Sequence, residues 1–256
     1  MNDLLYSIVI PAYNEQENIA ATLEEIIQAL LKEQIPFEIV AVNDNSKDNT
    51  RAVIETLQKT YKQIVIVNRN PPGGFGRAIR SGLEFAKGDV IAIVMADLSD
   101  DPVDIVKYYR KIEEGYDCVF GSRFIKGSKI IDYPLYKLFF NRLVNKMLQL
   151  IFWTKHNDLT NAFKAYRSIV IKDILPLKAA HFNITIELSL SALIRGYNIG
   201  VVPINWYGRK WGQSNLKLRA MGRRYLATLI KIWFERWLIL DDLMAEKSVV
   251  KPEDEI

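Results

Sequence analysis

The sequence predicts an α/β fold in which a mostly parallel central sheet is flanked by helices, with amphipathic helices appended at the C-terminus. Short apolar runs alternate with segments whose apolar residues recur at helical spacing. The runs are apolar throughout rather than at alternate positions, as in parallel strands that are covered on both faces. Long helical patterns dominate the second half of the chain.

The elements of the first half follow one another in strand–helix order. Strands are predicted at residues 7–10, 38–42, 64–67, 90–94 and 118–120. The helix predicted at 14–33 places Ile19, Leu23 and Ile26 on one face, and a second helix is predicted at 77–86. Ligands of such sheets bind outside the carboxyl ends of the strands. Chemistry is therefore expected in the polar residues that follow each apolar run.

The second half has a different pattern. Two long helical patterns, at about 136–153 and 216–240, bracket one more α/β stretch. We expect one main domain over residues 1–215 and a basic amphipathic helical appendage over 216–246. The charged, proline-containing residues 247–256 are expected to form a disordered tail.

Composition excludes several classes of protein. The net charge is only +4 in 256 residues, so nucleic acid is not an expected partner, although basic residues crowd positions 209–236. The single cysteine, Cys118, excludes disulfides and a cysteine-based zinc site and favours a reducing compartment. The sequence has no run of eighteen uncharged apolar residues, so no helix is expected to span a bilayer.

The first candidate site residues follow the first strand. Pro11, Ala12, Tyr13, Asn14 and Glu15 place an aromatic ring and a carboxylate at the carboxyl edge of the sheet, where they could hold a nucleobase. The alternative is an ordinary strand-to-helix turn with Asn14 as the N-cap of the helix.

The second strand ends in a dense polar turn. Asp44 follows the strand closely enough to accept hydrogen bonds from a base or ribose, whereas Asp48 or Ser46 is expected to cap the next helix. Glycines 73, 74 and 76 then open a helix and allow the backbone to approach a ligand closely. They lack the spacing of the dinucleotide-binding and phosphate-loop fingerprints, which disfavours a dehydrogenase or an ATPase of those types.

Three carboxylates follow the fourth strand. Asp97, Asp100 and Asp101 come directly after a buried run, where carboxylates can hold a divalent cation that neutralises a departing diphosphate. Asp100 or Asp101 is better explained as a helix cap ahead of Pro102. Asp97, nearest the strand, is the predicted ligand.

Six segments together resemble the family 2 glycosyltransferases, and within them the dolichyl-phosphate mannosyltransferases and their bacterial polyprenyl-phosphate relatives. In chain order they are IVIPAYNEQENI, VNDNSKDNT, GGFGRAIRSGLEFAKGDVIAIVMADLSDDP, GSRF, DLTNAFKAYR and GRKWGQSNLK. They recur in the order of the family and cover residues 7 to about 217. The resemblance implies a GT-A fold and a hexosyltransferase that uses a nucleotide sugar.

The resemblance also implies roles for individual residues. The nucleotide sugar would be held by Pro11, Ala12, Tyr13, Glu15, Asp44, Gly76, Arg77 and Ala96. Asp97 matches the last aspartate of the metal-binding D-x-D of the family and implies Mg²⁺ or Mn²⁺, with Ser99 beside it. Met95 stands where the first aspartate is usual, and Asn43 replaces the first acid of the usual Asp-Asp pair. Asp97, Arg123 and Arg209 would be catalytic, and Lys137, Asn141, Ser214 and Lys217 would meet the acceptor phosphate.

The two long helical patterns favour a lipid acceptor. The helix at 136–153 has no acidic residue, an aromatic end and a basic polar face, which fits either packing on the sheet or burial in a membrane interface. The helix at 216–240 combines basic and aromatic residues. We expect peripheral association with the cytoplasmic membrane face; the alternative is a homodimer interface or a membrane partner protein.

The expected reaction follows from these residues. An oxygen of a polyprenyl phosphate would attack the anomeric carbon of a GDP- or UDP-hexose with inversion, and an ionised phosphate needs no protein base. A sugar hydroxyl acceptor would need one, with Asp158 or Glu187 as candidates; otherwise Asp158 braces residues 160–167. A sugar nucleotidyltransferase and a non-catalytic nucleotide-sugar-binding protein are the alternatives from other classes.

Overall fold

The computed structural model describes residues 4–208 and 218–249. Within these ranges the strands are β1 (Tyr6–Ala12), β2 (Phe37–Asn43), β3 (Ile64–Asn68), β4 (Val90–Ile93), β5 (Cys118–Ser122), β6 (Lys129–Ile131), β7 (Lys164–Arg167), β8 (Ile199–Pro203) and β9 (Asn205–Tyr207). The helices are α1 (Ile19–Lys32), α2 (Thr50–Thr60), α3 (Phe75–Phe85), α4 (Pro102–Glu113), α5 (Leu135–Phe152), α6 (Ser168–Ile174), α7 (Ile184–Ile194), α8 (Leu218–Leu238) and α9 (Leu240–Val249). The predicted site residues Arg209, Ser214 and Lys217 lie outside the described residues.

The central sheet has seven strands in the order β3-β2-β1-β4-β7-β5-β8. Neighbouring strands are parallel except at β7, which pairs antiparallel with both β4 and β5. A separate parallel pair, β6 and β9, lies outside this sheet. The predicted mostly parallel sheet flanked by helices is confirmed.

Both faces of the sheet are buried, which explains why its strands are mostly apolar. Ile8 and Ile10 of β1 belong to a core cluster that contains buried residues of α1 and α4. Val9, between them, belongs to a second cluster with residues of α3, α6 and α7. Because successive side chains of a strand point to opposite faces, a strand between two helical layers is apolar at most of its positions.

The start of α1 differs from the sequence prediction. The helix begins at Ile19, and Asn14 is not its N-cap but adopts a left-handed conformation with φ of 54°. Its Oδ1 accepts the Lys47 N–H at 2.8 Å, so Asn14 joins the turns that follow β1 and β2. The cap predicted ahead of Pro102 is confirmed for Asp101, whose carboxylate accepts the Val103 N–H at 3.0 Å.

The C-terminal appendage consists of two helices, α8 and α9. The tail predicted to begin at residue 247 is wrong for residues 247–249, because α9 continues to Val249. Asp241 and Asp242 lie in the first turn of α9, where acidic side chains favour helix formation. Residues 250–256 lie outside the described part of the chain. Among the described helices, none is long and apolar enough to cross a membrane.

Candidate active site

A cavity of about 1070 Å³ opens at the carboxyl ends of β1, β2 and β4 and extends to the start of α5. The predicted residues that line it are Pro11, Ala12, Tyr13, Glu15, Asp44, Ala96, Asp97, Ser99, Arg123, Lys137 and Asn141. We call the part formed by the turns after β1 and β2 the sheet end, and the part formed by Lys137, Asn141 and Thr160 the α5 end. The topology thus brings most of the predicted donor and acceptor residues to one cavity.

Asp44 organises the sheet end. Its backbone N–H donates to the Ala12 carbonyl at 2.8 Å, which ties the ends of β2 and β1 together. Its carboxylate is paired with Arg69 through one oxygen, and the other oxygen accepts the Gly74 N–H at 2.6 Å. Asp44 therefore fixes the glycine turn, and a ligand at this end meets a carboxylate that is already oriented.

Tyr13 and Glu15 complete the sheet end. The Tyr13 ring is 39% exposed and faces the cavity as a flat apolar surface. Glu15 is buried, its backbone N–H donates to Thr50 Oγ1 at 2.8 Å, and its Oε2 accepts from Asn18 Nδ2 at 2.8 Å. These bonds make the turn after β1 rigid, so an exposed ring and a held carboxylate lie side by side.

Asn43 does not act in the cavity. Its Nδ2 donates to Asn68 Oδ1 at 2.9 Å, and its Oδ1 accepts the Ser46 N–H at 3.2 Å. The side chain therefore connects β2 to β3 and closes the polar turn after β2. A neutral amide can make both bonds at once, which explains how asparagine serves at a position where the family usually has an acid.

The candidate metal position consists of Asp97 and Ser99. Both are buried and line the cavity, and Asp97 Oδ1 accepts the Ser99 N–H at 3.1 Å. The described residues contain no cluster of three or more His, Cys, Asp or Glu side chains that could hold a metal ion by themselves. Mg²⁺ in phosphate sites takes one or two carboxylates, water and substrate phosphates. Asp97 fits that pattern, and the thioether of Met95, which also lines the cavity, adds no hard ligand.

Asp100 is buried next to the candidate metal position and stabilises the backbone there. Its carboxylate accepts the Met95 N–H at 3.1 Å, which holds the segment that carries Asp97. The pKa of Asp100 is raised to about 7, chiefly by burial and also by the negative charge of Asp97, against the lowering effects of the Met95 N–H and Arg123. The backbone around Asp97 is thus held by a carboxyl group that titrates near neutral pH.

Arg123 is held by a buried ion pair with Asp158. Its Nε and Nη2 each lie 2.7 Å from a carboxylate oxygen of Asp158, and its backbone N–H also donates to Asp158 Oδ2 at 3.0 Å. Arg123 nevertheless lines the cavity. Asp158 does not, so its predicted alternative role as a base is not supported, and its role is to orient the arginine.

The carboxylate of the other base candidate, Glu187, is also bonded to groups outside the cavity. Its carboxylate accepts the backbone N–H groups of Lys178 and Ala179 and pairs with Lys231 Nζ at 2.9 Å. Glu187 lies on α7 and does not line the cavity. It fixes the segment before α7 against α8.

Gly76 and Arg77 also lie away from the cavity. A Cβ at Gly76 would come within 2.5 Å of the Ala179 carbonyl oxygen, so this glycine allows α3 to pack against residues 179–181 rather than against a ligand. Arg77 Nη1 donates to the Gly73 carbonyl at 2.9 Å. Both residues support the turn at residues 73–74 from the side away from the cavity. Direct contact with a nucleotide sugar is not supported for either residue.

At the α5 end of the cavity, a row of polar side chains on α5 faces the interior of the protein. Asn141 Nδ2 donates to Thr160 Oγ1 at 3.1 Å, and Asn145 Nδ2 donates to the same oxygen at 2.9 Å. Asn145 Oδ1 accepts the Leu159 N–H at 2.7 Å. Lys137, one turn before Asn141, lines the cavity beside these amides. The polar side of α5 therefore faces the protein, and its apolar side faces outwards.

Lys164 is a buried residue of this region that the sequence analysis missed. Its Nζ lies inside the protein, where it donates to the carbonyls of Leu159, at 3.1 Å, and Asn161. These bonds fix residues 159–161, two of which line the cavity. Burial lowers the pKa of Lys164 to about 7; Asp158 raises it and Arg123 lowers it. A lone lysine in a strand pattern gives no sequence signal for this role.

The titration of Lys164 predicts a pH dependence of stability. Because the folded pKa is depressed, the unfolded chain binds a proton that the folded chain lacks between about pH 7 and 10. The free energy of unfolding should rise with pH in this window, by up to about 1.4 kcal/mol per pH unit. Urea titrations of Lys164→Met should show a flatter profile than wild type. The exposed Lys172→Met is the control; an equal slope in both variants would contradict the assignment.

Comparison with known proteins places this site in a family. The model of glycosyl transferase family 2 matches residues 7–175. The chain belongs to glycosyl transferase family 2. The dolichol-phosphate mannosyltransferase of Pyrococcus furiosus is 32% identical over 219 residues, which cover 82% of this chain and 59% of that protein. The undecaprenyl-phosphate 4-deoxy-4-formamido-L-arabinose transferase of Shewanella sediminis is 33% identical over 174 residues, 66% of this chain and 50% of that one. The chain thus spans little more than half of these curated relatives.

Solved structures confirm the fold of this family 2 chain. Glucosyl-3-phosphoglycerate synthase of Mycobacterium tuberculosis, in complex with Mn²⁺, uridine diphosphate and glucosyl-3-phosphoglycerate, superposes with a TM-score of 0.68 at 19% identity, covering 90% of this chain and 80% of that one. The same enzyme with uridine diphosphate alone gives the same TM-score. The predicted GT-A fold is confirmed, and structural neighbours of this fold have been crystallised with a divalent cation.

Several cavity residues of the family 2 chain were not found from sequence. At the α5 end they include Asp132, Tyr133 and Thr160; elsewhere they include Phe75, His181, Phe182, Trp206, Arg224 and Tyr225. Phe75 and Phe182 stack with ring centroids 4.4 Å apart. Phe75 and Thr160 lie within family-like segments. The others lie in loops, in α8 or in β9 with no local signal, and only the fold brings them together.

Proposed function

We propose that this chain transfers a hexose from a nucleotide sugar to the phosphate of a polyprenyl phosphate, with inversion at the anomeric carbon. The observation that supports this most is that one cavity contains both the residues that the family assigns to the donor and the Lys137 and Asn141 assigned to the acceptor phosphate. The names of two relatives, a dolichol-phosphate and an undecaprenyl-phosphate sugar transferase, support the same acceptor class.

The donor would bind at the sheet end. The exposed ring of Tyr13 offers a stacking surface for the base, and Asp44 offers oriented carboxylate oxygens. Asp97, with Ser99, would hold Mg²⁺ or Mn²⁺ together with the diphosphate oxygens. When bound, the cation supplies positive charge that stabilises the departing nucleoside diphosphate.

The acceptor phosphate would bind at the α5 end. Lys137 provides a charge and Asn141 an amide fixed by Thr160. A phosphate is ionised near neutral pH, so these side chains need only hold it in line with the anomeric carbon. Neither Asp158 nor Glu187 lines the cavity, which supports a nucleophile that needs no base.

A second candidate reaction is favoured by Asp132. This exposed carboxylate lines the α5 end of the cavity, where a base would be needed if the acceptor were a sugar hydroxyl. Of the other cavity-lining carboxylates in the described residues, Glu15 is buried and accepts from Asn18 Nδ2. Asp44 is fixed by Arg69 and Gly74, and Asp97 lies at the candidate metal position. A substitution of Asp132 therefore tests whether the reaction needs a base.

We also propose that the chain binds peripherally to a membrane surface. The outward side of α5 exposes Leu135, Tyr136, Phe139, Phe140, Leu143, Met147 and Leu150. α8 exposes Leu226, Ile230, Trp233, Phe234 and Trp237. The α5 sequence has no acidic residue, and Arg142 and Lys146 are exposed on it. A basic, aromatic helix of this kind lies in the headgroup region, where each cation contributes about 1 kcal/mol on an anionic surface.

A transfer assay tests the function. Purified protein is incubated with undecaprenyl phosphate or dolichyl phosphate and radiolabelled GDP- and UDP-hexoses, and label is counted in the chloroform phase. We expect extractable product with at least one donor, of inverted anomeric configuration by NMR. Asp132→Asn should retain this transfer. No extractable label with any donor would overturn the lipid acceptor, and a loss of more than about 100-fold in Asp132→Asn would contradict a transfer that needs no base.

A further inference from the structure

A second cavity lies apart from the active site, where α5 ends. It has a volume of about 490 Å³ and shares no lining residue with the first. Its walls are Phe152, Trp153, Thr154, Lys155, His156, Leu193, Ile194, Arg236 and Leu240. These residues come from the end of α5 and the loop after it, from α7, and from the junction of α8 and α9. Nothing in the proposed transfer reaction uses this cavity.

The polar lining of the cavity carries positive charge without an acid. Lys155 and Arg236 line it, and among the described residues no carboxylate lies within ion-pair distance of either. Arg236 Nη1 donates to the Phe152 carbonyl at 2.6 Å, which places the guanidinium at the C-terminal end of α5. By contrast, the buried Arg123 is fully engaged by Asp158. Two cations at one cavity thus lack the counter-ion that the active-site arginine has.

His156 gives an independent indication of a ligand. Its side chain is more than nine-tenths buried and lines the cavity, and its Nδ1 has no hydrogen-bond partner in the described structure. Buried polar groups are normally hydrogen-bonded, because a buried donor or acceptor without a partner lowers stability by about 1–3 kcal/mol. Burial lowers the pKa of His156, and the charges of Lys155 and Lys164 lower it further.

Exposed apolar residues belong to the lining of the cavity or are close to it in sequence. Trp153 is 87% exposed and adopts a left-handed conformation directly after α5. Leu150, Trp237 and Leu238 are also exposed. Phe152 and Leu240 supply apolar walls inside. Cations, a polar ring and the exposed Trp153 at one cavity match an amphiphile that carries an anionic headgroup.

We infer that this cavity binds the headgroup of an anionic phospholipid, with the phosphodiester between Lys155 and Arg236 and the first part of an acyl chain against the apolar wall. A second copy of the chain is a poorer occupant, because the lining offers two unpaired cations and no acid for a symmetric contact. The inference rests on the proposed membrane association but not on the transfer reaction, so each can fail without the other.

The two histidines of the chain provide the test. The full chain is labelled at histidine Cε1, and the two Cε1–H signals are assigned with His156→Asn and His181→Asn. Dihexanoyl phosphatidylglycerol is then titrated below its micelle concentration. We expect a saturable shift of the His156 signal and none of the signal of His181, which lines the first cavity. Dihexanoyl phosphatidylcholine and inorganic phosphate should each shift it at least about fivefold more weakly.

Two matched variants distinguish binding in this cavity from general electrostatic attraction between the basic protein surface and the anionic lipid. Lys155→Gln should raise the Kd of the short-chain lipid by about fivefold, as expected for the loss of one contact worth 1 kcal/mol. Lys172→Gln removes the same charge from an exposed position of α6, outside the cavity, and should change that Kd by less than about twofold. Equal effects of both variants, equal binding of phosphatidylcholine, or binding of inorganic phosphate as tight as that of the lipid would overturn the inference.

Discussion

Replacing Asp97 with asparagine is expected to lower the rate of sugar transfer by about 100- to 1,000-fold, the range found when one group that stabilises transition-state charge is removed. Asp97 lines the cavity at the candidate metal position, and Met95 beside it offers no carboxylate that could substitute. Asparagine retains an acceptor for the Ser99 N–H, so the fold should persist. The measurement is the initial rate at saturating donor and acceptor over a range of Mg²⁺ and Mn²⁺ concentrations.

Asp101→Asn provides the matched control for this variant. It removes the same charge four residues further on, at the N-cap of α4, where asparagine also caps a helix well. Asp101 does not line the cavity. We expect its transfer rate to stay within about twofold of wild type, because its charge lies outside the site. Wild-type turnover and unchanged metal dependence in Asp97→Asn would remove Asp97 from the reaction.

The sequence predicted the fold well because its signals are local and repeated. Strands such as β1 and β2 are buried on both faces, so residues 8–12 and 39–42 each form an unbroken apolar run. The polar turns after these runs meet at one sheet edge by topology alone, which is why Tyr13, Asp44 and Asp97 could be assigned to one site. The insertion of β7 antiparallel between β4 and β5 was not predicted, because no local pattern encodes which strands pair.

The parts of the site that were missed depend on contacts between distant residues. The bidentate hydrogen bond between Arg123 and Asp158 joins positions 35 residues apart. A sequence pattern shows that an arginine and an aspartate are present, but it does not show that they form an ion pair. The orientation of α5 was ambiguous for the same reason. Its amides could face solvent or protein, and only their bonds to Thr160 and Leu159 decide that they face inwards.

The ion pair between Arg123 and Asp158 predicts the largest stability effect. Both side chains are buried, and Arg123 has no other carboxylate within ion-pair distance among the described residues. In Asp158→Asn the guanidinium would be left buried without a counter-charge, which should lower the free energy of unfolding by about 3–5 kcal/mol in urea titrations. Glu113→Gln breaks the exposed pair with Arg110 and should cost less than about 1 kcal/mol.

The double variant Arg123→Met/Asp158→Asn separates stability from catalysis. It removes both charges and keeps an acceptor for the backbone N–H of residue 123, so it should recover most of the stability lost in Asp158→Asn. If Arg123 stabilises the leaving diphosphate, transfer by the refolded double variant should stay about 100-fold or more below wild type. Stability without recovered transfer would assign the charge of Arg123 to the reaction. Recovery of both would show that the ion pair serves only to hold the loop after β5.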